Sequence, residues 1–138
     1  MELPEIDKRY ILIIAVVLLI AAAALLFLPS LFSQKTVNAY FSTSKLAPGQ
    51  NTSLIVEVTN TLGKDVSSVM ISVSPLNRGI IGSLVTPLNG TLGIGEMRRI
   101  TVPISLETNL LEGTYSIQID ASLDGAQYSA RVALEVKK

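Results

Sequence analysis

Residues 115–136 read YSIQIDASLDGAQYSARVALEV. Tyr115, Ile117, Ile119 and Ala121 alternate with Ser116, Gln118, Asp120 and Ser122. After Asp124-Gly125 the alternation resumes, with Tyr128, Ala130, Val132, Leu134 and Val136 set against Ser129, Arg131, Glu135 and Lys137. In an extended strand successive side chains point to opposite faces, so each run has one dry and one wet side. Asp-Gly between two such runs is a strong signal for a two-residue hairpin, because both central positions must take positive φ. An antiparallel pair packed on a core through one face is the expectation here.

The same period recurs upstream. Leu54, Val56 and Val58 alternate with Ile55, Glu57 and Thr59, and Val69, Ile71 and Val73 with Met70, Ser72 and Ser74. Ile100, Val102, Ile104 and Leu106 alternate with Thr101, Pro103, Ser105 and Glu107. Pro103 has no amide donor, which places that strand beside an edge or a bulge. Weaker runs at residues 37–43 and 80–85 bring the expected count to seven. Turn residues fall between the runs, at Pro48-Gly49, Asn60 to Gly63, Asn89-Gly90 and Gly93 to Gly95. Short strands punctuated in this way predict a seven-stranded antiparallel immunoglobulin-like β-sandwich over residues 37–138.

Ahead of the strands lies a different pattern. Residues 11–28 read ILIIAVVLLIAAAALLFL, without a charge, an amide or a hydroxyl. A helix rises about 1.5 Å per residue, so this run extended to Phe32 matches a hydrocarbon core of roughly 30 Å. The division expected is a cytoplasmic N-terminus at 1–9, a transmembrane helix at 10–32, a short linker at 33–36 and the sandwich beyond. Lys8 and Arg9 on one flank against Lys35 on the other favour a cytoplasmic N-terminus and an extracellular C-terminal domain in a single-pass cell-membrane protein. Tyr10 and Phe32 sit where interfacial aromatics are favoured, and Pro29 is expected to kink or end the helix. A cleaved secretory signal would have a shorter apolar core followed by a small-residue site. Filament subunits of the pilin or archaellin kind are processed after a small residue, which Lys8-Arg9-Tyr10 lacks, and a filament subunit of that kind stands as a further alternative. A buried helix has nowhere to hide in a single sandwich.

Composition narrows the chemistry. The chain contains neither Cys nor His, which removes thiol nucleophiles, imidazole bases and the commonest ligands of zinc, copper and haem. Residues 36–138 carry 8 basic and 8 acidic side chains, so no net field attracts nucleic acid. No G-x-S-x-G elbow occurs, and Gly90, Gly93 and Gly95 are followed by no Lys-Ser or Lys-Thr of a phosphate loop. The expectation is a protein that is not an enzyme, with no catalytic residues, no cofactor and no metal. Glu107 with Glu112, or Asp120 with Asp124, would be the carboxylate pairs to test for Ca²⁺, but they lack the D-x-D-x-D spacing. Arg98-Arg99 is a candidate partner-binding edge, with protection against edge-to-edge aggregation as the competing role. Asn51-Thr52-Ser53 and Asn89-Gly90-Thr91 fit N-x-[ST], which makes Asn51 and Asn89 candidate glycosylation sites in predicted turns.

Two stretches carry a family resemblance. Leu46-Ala47-Pro48-Gly49-Gln50 leading into Leu54-Ile55-Val56-Glu57-Val58-Thr59-Asn60 resembles the opening of surface modules of the CARDB and S-layer-associated type, where a Pro-Gly turn precedes V-x-V-x-N. Leu92-Gly93-Ile94-Gly95-Glu96, Ile100 to Ile104 and Glu112-Gly113-Thr114-Tyr115 resemble the second half of such modules. The resemblance covers residues 36–138 and implies adhesion or scaffolding at an archaeal cell envelope; it transfers no catalytic residue. One span plus one sandwich is also similar in architecture to the F and G accessory proteins of the archaellum. The expected partners are the bilayer and an envelope protein, with a subunit of a larger membrane complex (secretion, pilus, archaellum or respiratory) or a second copy as alternatives. With so short a linker, the sandwich would work close to the bilayer.

Overall fold

The Asp124-Gly125 hairpin forms as its residues require. Asp124 has φ 47° and Gly125 φ 91°, positive at both central positions, and they join two eleven-residue strands, Gly113–Leu123 and Ala126–Val136. The structure is a computed structural model that describes residues 8–31 and 34–138, with side-chain surroundings for 12–23 and 34–138. In chain order its elements are α1 (Lys8–Leu31), β1 (Val37–Phe41), β2 (Lys45–Leu46), β3 (Asn51–Thr59), β4 (Val69–Pro75), β5 (Ile80–Ile81), β6 (Leu84–Leu88), β7 (Met97–Leu106), β8 (Gly113–Leu123) and β9 (Ala126–Val136). Two compact units result, Met1–Gln34 and Lys35–Lys138.

The second unit is a sandwich of two sheets, β1-β3-β7-β5 and β2-β9-β8-β4-β6. All pairings are antiparallel except β2 with β9, which is parallel. Apart from β2 and β6, which extend the second sheet at its two ends, the remaining seven strands pair as 1-2-5-4 and 7-6-3, the immunoglobulin arrangement. Tyr115, near the start of β8, adds a second feature of that arrangement. Its hydroxyl donates to the Leu111 carbonyl at 2.8 Å, tying the strand to the corner before it.

The described residues hold nine strands where the sequence predicts seven, for two local reasons. Residues 80–85 are not one strand. Ile80–Ile81 pairs with β7 in one sheet, and Leu84–Leu88 pairs with β4 in the other. The chain crosses between sheets at Gly82-Ser83, where a Cβ on Gly82 would lie 2.4 Å from Ile104 Cδ1 and 2.8 Å from the Pro103 carbonyl. Only glycine permits so close a crossing. The other addition is Lys45–Leu46, formed where the chain leaves β1 for the opposite sheet. Thr52, a residue 8% exposed, stitches that switch: its hydroxyl donates to the Thr43 carbonyl and accepts from the Thr43 amide.

Alternation becomes burial as expected. Leu54, Val56 and Val58 of β3 are fully buried, as are Ile117, Ile119 and Ala121 of β8, and they join one aliphatic core with Ile71 and Ile104. Burying each of the Leu, Ile and Val side chains contributes about 1.5–3 kcal/mol. Pro103 pairs with Ser53 on one side, and on the other it lies past the end of the two-residue β5, so β7 is an edge there.

In the first unit α1 continues two residues beyond Pro29, so the proline does not end it. Among the described residues no helix is long and apolar enough to cross a membrane. The described side chains of α1, at 12–23, span only about 18 Å at the helical rise. The expectations for residues 1–7, for the Tyr10 and Phe32 side chains and for Ser33 lie outside the described residues.

Candidate binding edges

Arg98 and Arg99 are neighbours on β7 with different tasks. Arg98 reaches back over the β6–β7 loop: its guanidinium donates to the Asn89 carbonyl, to the Thr91 carbonyl at 2.7 Å and to Glu96 at 3.2 Å. The Gly93 amide and then Arg98 hold the Glu96 carboxyl below its ordinary range. Arg98 is therefore a clamp on its own loop. Arg99 stands in register with Glu57, which stands in register with Asn38, on the outer face of the β1-β3-β7 sheet. It reaches Glu57 Oε1 through Nη2 at 2.6 Å and Nε at 3.0 Å, while Asn38 and Tyr40 also donate to that carboxylate. Hydrogen bonds from Arg99 first, then Asn38, lower the Glu57 pKa. Adjacent strand positions point to opposite faces, so the two arginines do not form one patch.

Asp120 and Asp124 have separate partners. Asp120 accepts from the Ser129 hydroxyl and from Gln118, which lower its pKa. Asp124 instead accepts from the Ser68 amide at 2.8 Å and the Ser67 amide at 3.1 Å, fastening the hairpin to the start of β4, and these bonds lower its pKa. Glu112 accepts from the Lys138 amide. Among the described residues no group of three acidic side chains is placed to hold a metal ion. Asn89 is exposed in the β6–β7 loop. Asn51 is exposed as well, but it opens β3 and is not in a turn.

Among the described residues, two open seams lie where sheet edges of the sandwich come together. One, of about 450 Å³, lies between residues 81–84 and residues 101–105 of β7. The other, of about 410 Å³, is lined by residues 35–39 and by residues 128–132 of β9. Its apolar floor is made by Ala39, Tyr128, Ala130 and Val132, all only partly buried against the core. Both strands are exposed edges there, because β2 covers β9 only at Glu135 and Val136. Sequence reasoning missed this seam. Nothing local in β1 or β9 says that the chain abandons that edge at residue 42.

It also missed a buried polar residue that joins two loops. Asn60, 1% exposed, donates to the carbonyls of Lys64 at 2.8 Å and Leu92 at 2.9 Å and accepts from the Leu62 amide at 2.9 Å. It ties the β3–β4 and β6–β7 loops together. A turn-forming Asn is the only sign of this in the sequence.

No family model matches the sequence, and no curated protein matches it. Solved structures do resemble it. The sporulation control protein Spo0M of Bacillus subtilis superposes with TM-score 0.51 at 15% identity, over 75% of this chain and 49% of that one. Red sea bream transglutaminase gives TM-score 0.63 at 14% identity, over 77% of this chain and 15% of that one. The chain thus spans about half or less of those two proteins. The CARDB domain of a Pyrococcus furiosus protein, solved in complex with di-metal ions, gives TM-score 0.55 at 20% identity, over 74% of this chain and 86% of the domain. Residues 35–138 are a β-sandwich of CARDB-like fold.

Proposed function

We propose that this chain is a membrane-tethered binding module of the cell envelope: α1 anchors it, and the sandwich holds a protein partner outside the membrane. The observation that carries the reading is the character of α1. Eight large apolar side chains between Leu12 and Ile20 are each at least half exposed, and they fall on every face of the helix. A helix apolar all round is covered in lipid or in a bundle, and an amphipathic stripe for packing on a sandwich is missing. The apolar run of residues 11–28 is about the length of a bilayer span. A non-catalytic role for the sandwich is the reading that a chain without His or Cys supports, its shifted carboxylates serving as loop fasteners and cross-strand partners.

Fractionation tests the tether. The full chain should remain in the membrane pellet after alkaline carbonate washing, and a chain beginning at residue 34 should be released. Replacing residues 1–32 by an unrelated transmembrane span should restore both membrane retention and partner capture. Release of the full chain by carbonate would end the anchor reading. Loss of partner capture with the unrelated span would assign the specific contact to the helix.

A further inference from the structure

We infer that the open edge of β9 from Gln127 to Ala133 is a strand-addition site for an extended, acidic segment of a partner protein. The inference rests on the reading of the sandwich as a binding module and names its site. Hydrogen-bond phase is the first support. The Glu135 amide donates to the Ser44 carbonyl and the Lys137 amide to the Leu46 carbonyl, so odd-numbered residues of β9 direct their backbone groups away from β8. The β8–β9 register runs without a bulge from Gly113↔Val136 to Leu123↔Ala126. The same phase therefore holds back along the strand, and Gln127, Ser129, Arg131 and Ala133 present N–H and C=O to the open side.

β1 does not close that side. The Thr59 amide donates to the Thr36 carbonyl and the Ser42 amide to the Ser53 carbonyl, so even-numbered residues of β1 bond β3, and the backbone groups of Val37 and Ala39 point away from it. No backbone hydrogen bond among the described residues joins β1 to β9. The chain's own β2 already adds to this edge, but for two residues only. A partner strand would continue the row that β2 begins and send alternate side chains over Ala39 and Ala130 into the groove.

Proline separates this edge from the opposite one. The seam beside β7 carries Pro103, and edge strand β6 carries Pro87; both residues lack the donor that strand addition needs. β1 and β9 contain no proline. Charge selects the partner's chemistry. Lys35 and Arg131 line the groove, and among the described residues neither has a carboxylate within ion-pair distance. Arg131 donates to Gln118, while on that face Asp120 Oδ1 accepts from Ser129 and Gln118. An incoming strand bearing Asp or Glu meets both cations, and a basic one is repelled.

The test places a photo-crosslinking residue at Ala133 of the full chain in native membranes, and in a second chain at Val85 of β6. Mass spectrometry then identifies the joined segment. The expected product at Ala133 is an acidic segment of another protein without alternate prolines, with little product at Val85. Ser129→Pro or Arg131→Pro removes an outward donor but no backbone bond to β8, with the loss of one exposed side-chain bond (Ser129 to Asp120, or Arg131 to Gln118), so each should cut the yield at least tenfold while leaving the melting temperature within a few degrees. Lys35→Glu with Arg131→Glu, which leaves the backbone intact, should cut it several-fold. Crosslinking only to lipid, to a second copy or to a basic segment overturns the inference, as does a yield indifferent to proline and charge. A partner still captured through another surface would spare the binding-module reading and sink only the choice of edge.

Discussion

Replacing Asn60 with Ala should cost the sandwich about 3 kcal/mol. Three hydrogen bonds vanish together, each with a net worth of roughly 1 kcal/mol. The stranded groups are unequal. The Leu92 carbonyl keeps the Val66 amide at 3.0 Å, and the Lys64 carbonyl lies where water can reach it. The Leu62 amide loses its acceptor and adds about 1 kcal/mol, offset in part by relaxation of the exposed loop between residues 61 and 65. For a unit of this size, 3 kcal/mol lowers Tm by about 12–24 °C. Urea unfolding of the full chain in detergent, followed by tyrosine fluorescence, gives ΔΔG provided that the slope with denaturant is unchanged. Asn60→Asp sharpens the test. It retains the acceptor for Leu62 but turns a carboxylate toward the Lys64 and Leu92 carbonyls, so it should be at least as damaging at neutral pH and partly relieved when protonated. If Asn60→Ala lies within 0.5 kcal/mol of the parent, the buried amide does not hold the two loops and the reasoning fails.

Gly82→Ala should destabilise by about 1–3 kcal/mol, because the added Cβ must displace Ile104 or the β7 backbone; a stability equal to the parent's would mean that the sheet crossing does not need glycine. Acid should weaken the domain. Glu57, Glu96, Asp120, Asp124 and Glu135 all have folded pKa values below the unfolded ones, so their contribution is complete above the ordinary carboxylate range of 3.8–4.5 and is lost as pH falls through the lower folded values. Urea midpoints between pH 7 and pH 2 should drop mainly below pH 4, and a midpoint that rises there would contradict the assigned bonds. Asp124→Asn should remove part of that acid sensitivity, since the Ser67 and Ser68 amides would lose a charged acceptor; an unchanged pH profile would place the sensitivity elsewhere.

Much of the architecture was legible because it is written in local periods. A two-residue alternation states which face of a strand is dry before any partner is known, and Ile117, Ile119, Leu54 and Val56 are buried as it demands. Asp124-Gly125 states a turn through its own torsions. An unbroken apolar run states a helix that needs cover, and the proposed anchor starts from that run. Tertiary structure decided what depends on residues far apart in the chain. The apolar spacing of residues 80–85 is the same whether they form one strand or two, and the split follows from Ile104 and Pro103 crowding Gly82 across the sheet. Arg98 and Arg99 look alike in sequence, yet a loop carbonyl claims one and Glu57, forty-two positions away, claims the other. Asn60 reads as a turn residue until the β6–β7 loop is folded over it. The open edge of β9 is likewise a property of pairing: it exists because β1 joins β3, and no segment's own composition records which neighbour it lacks.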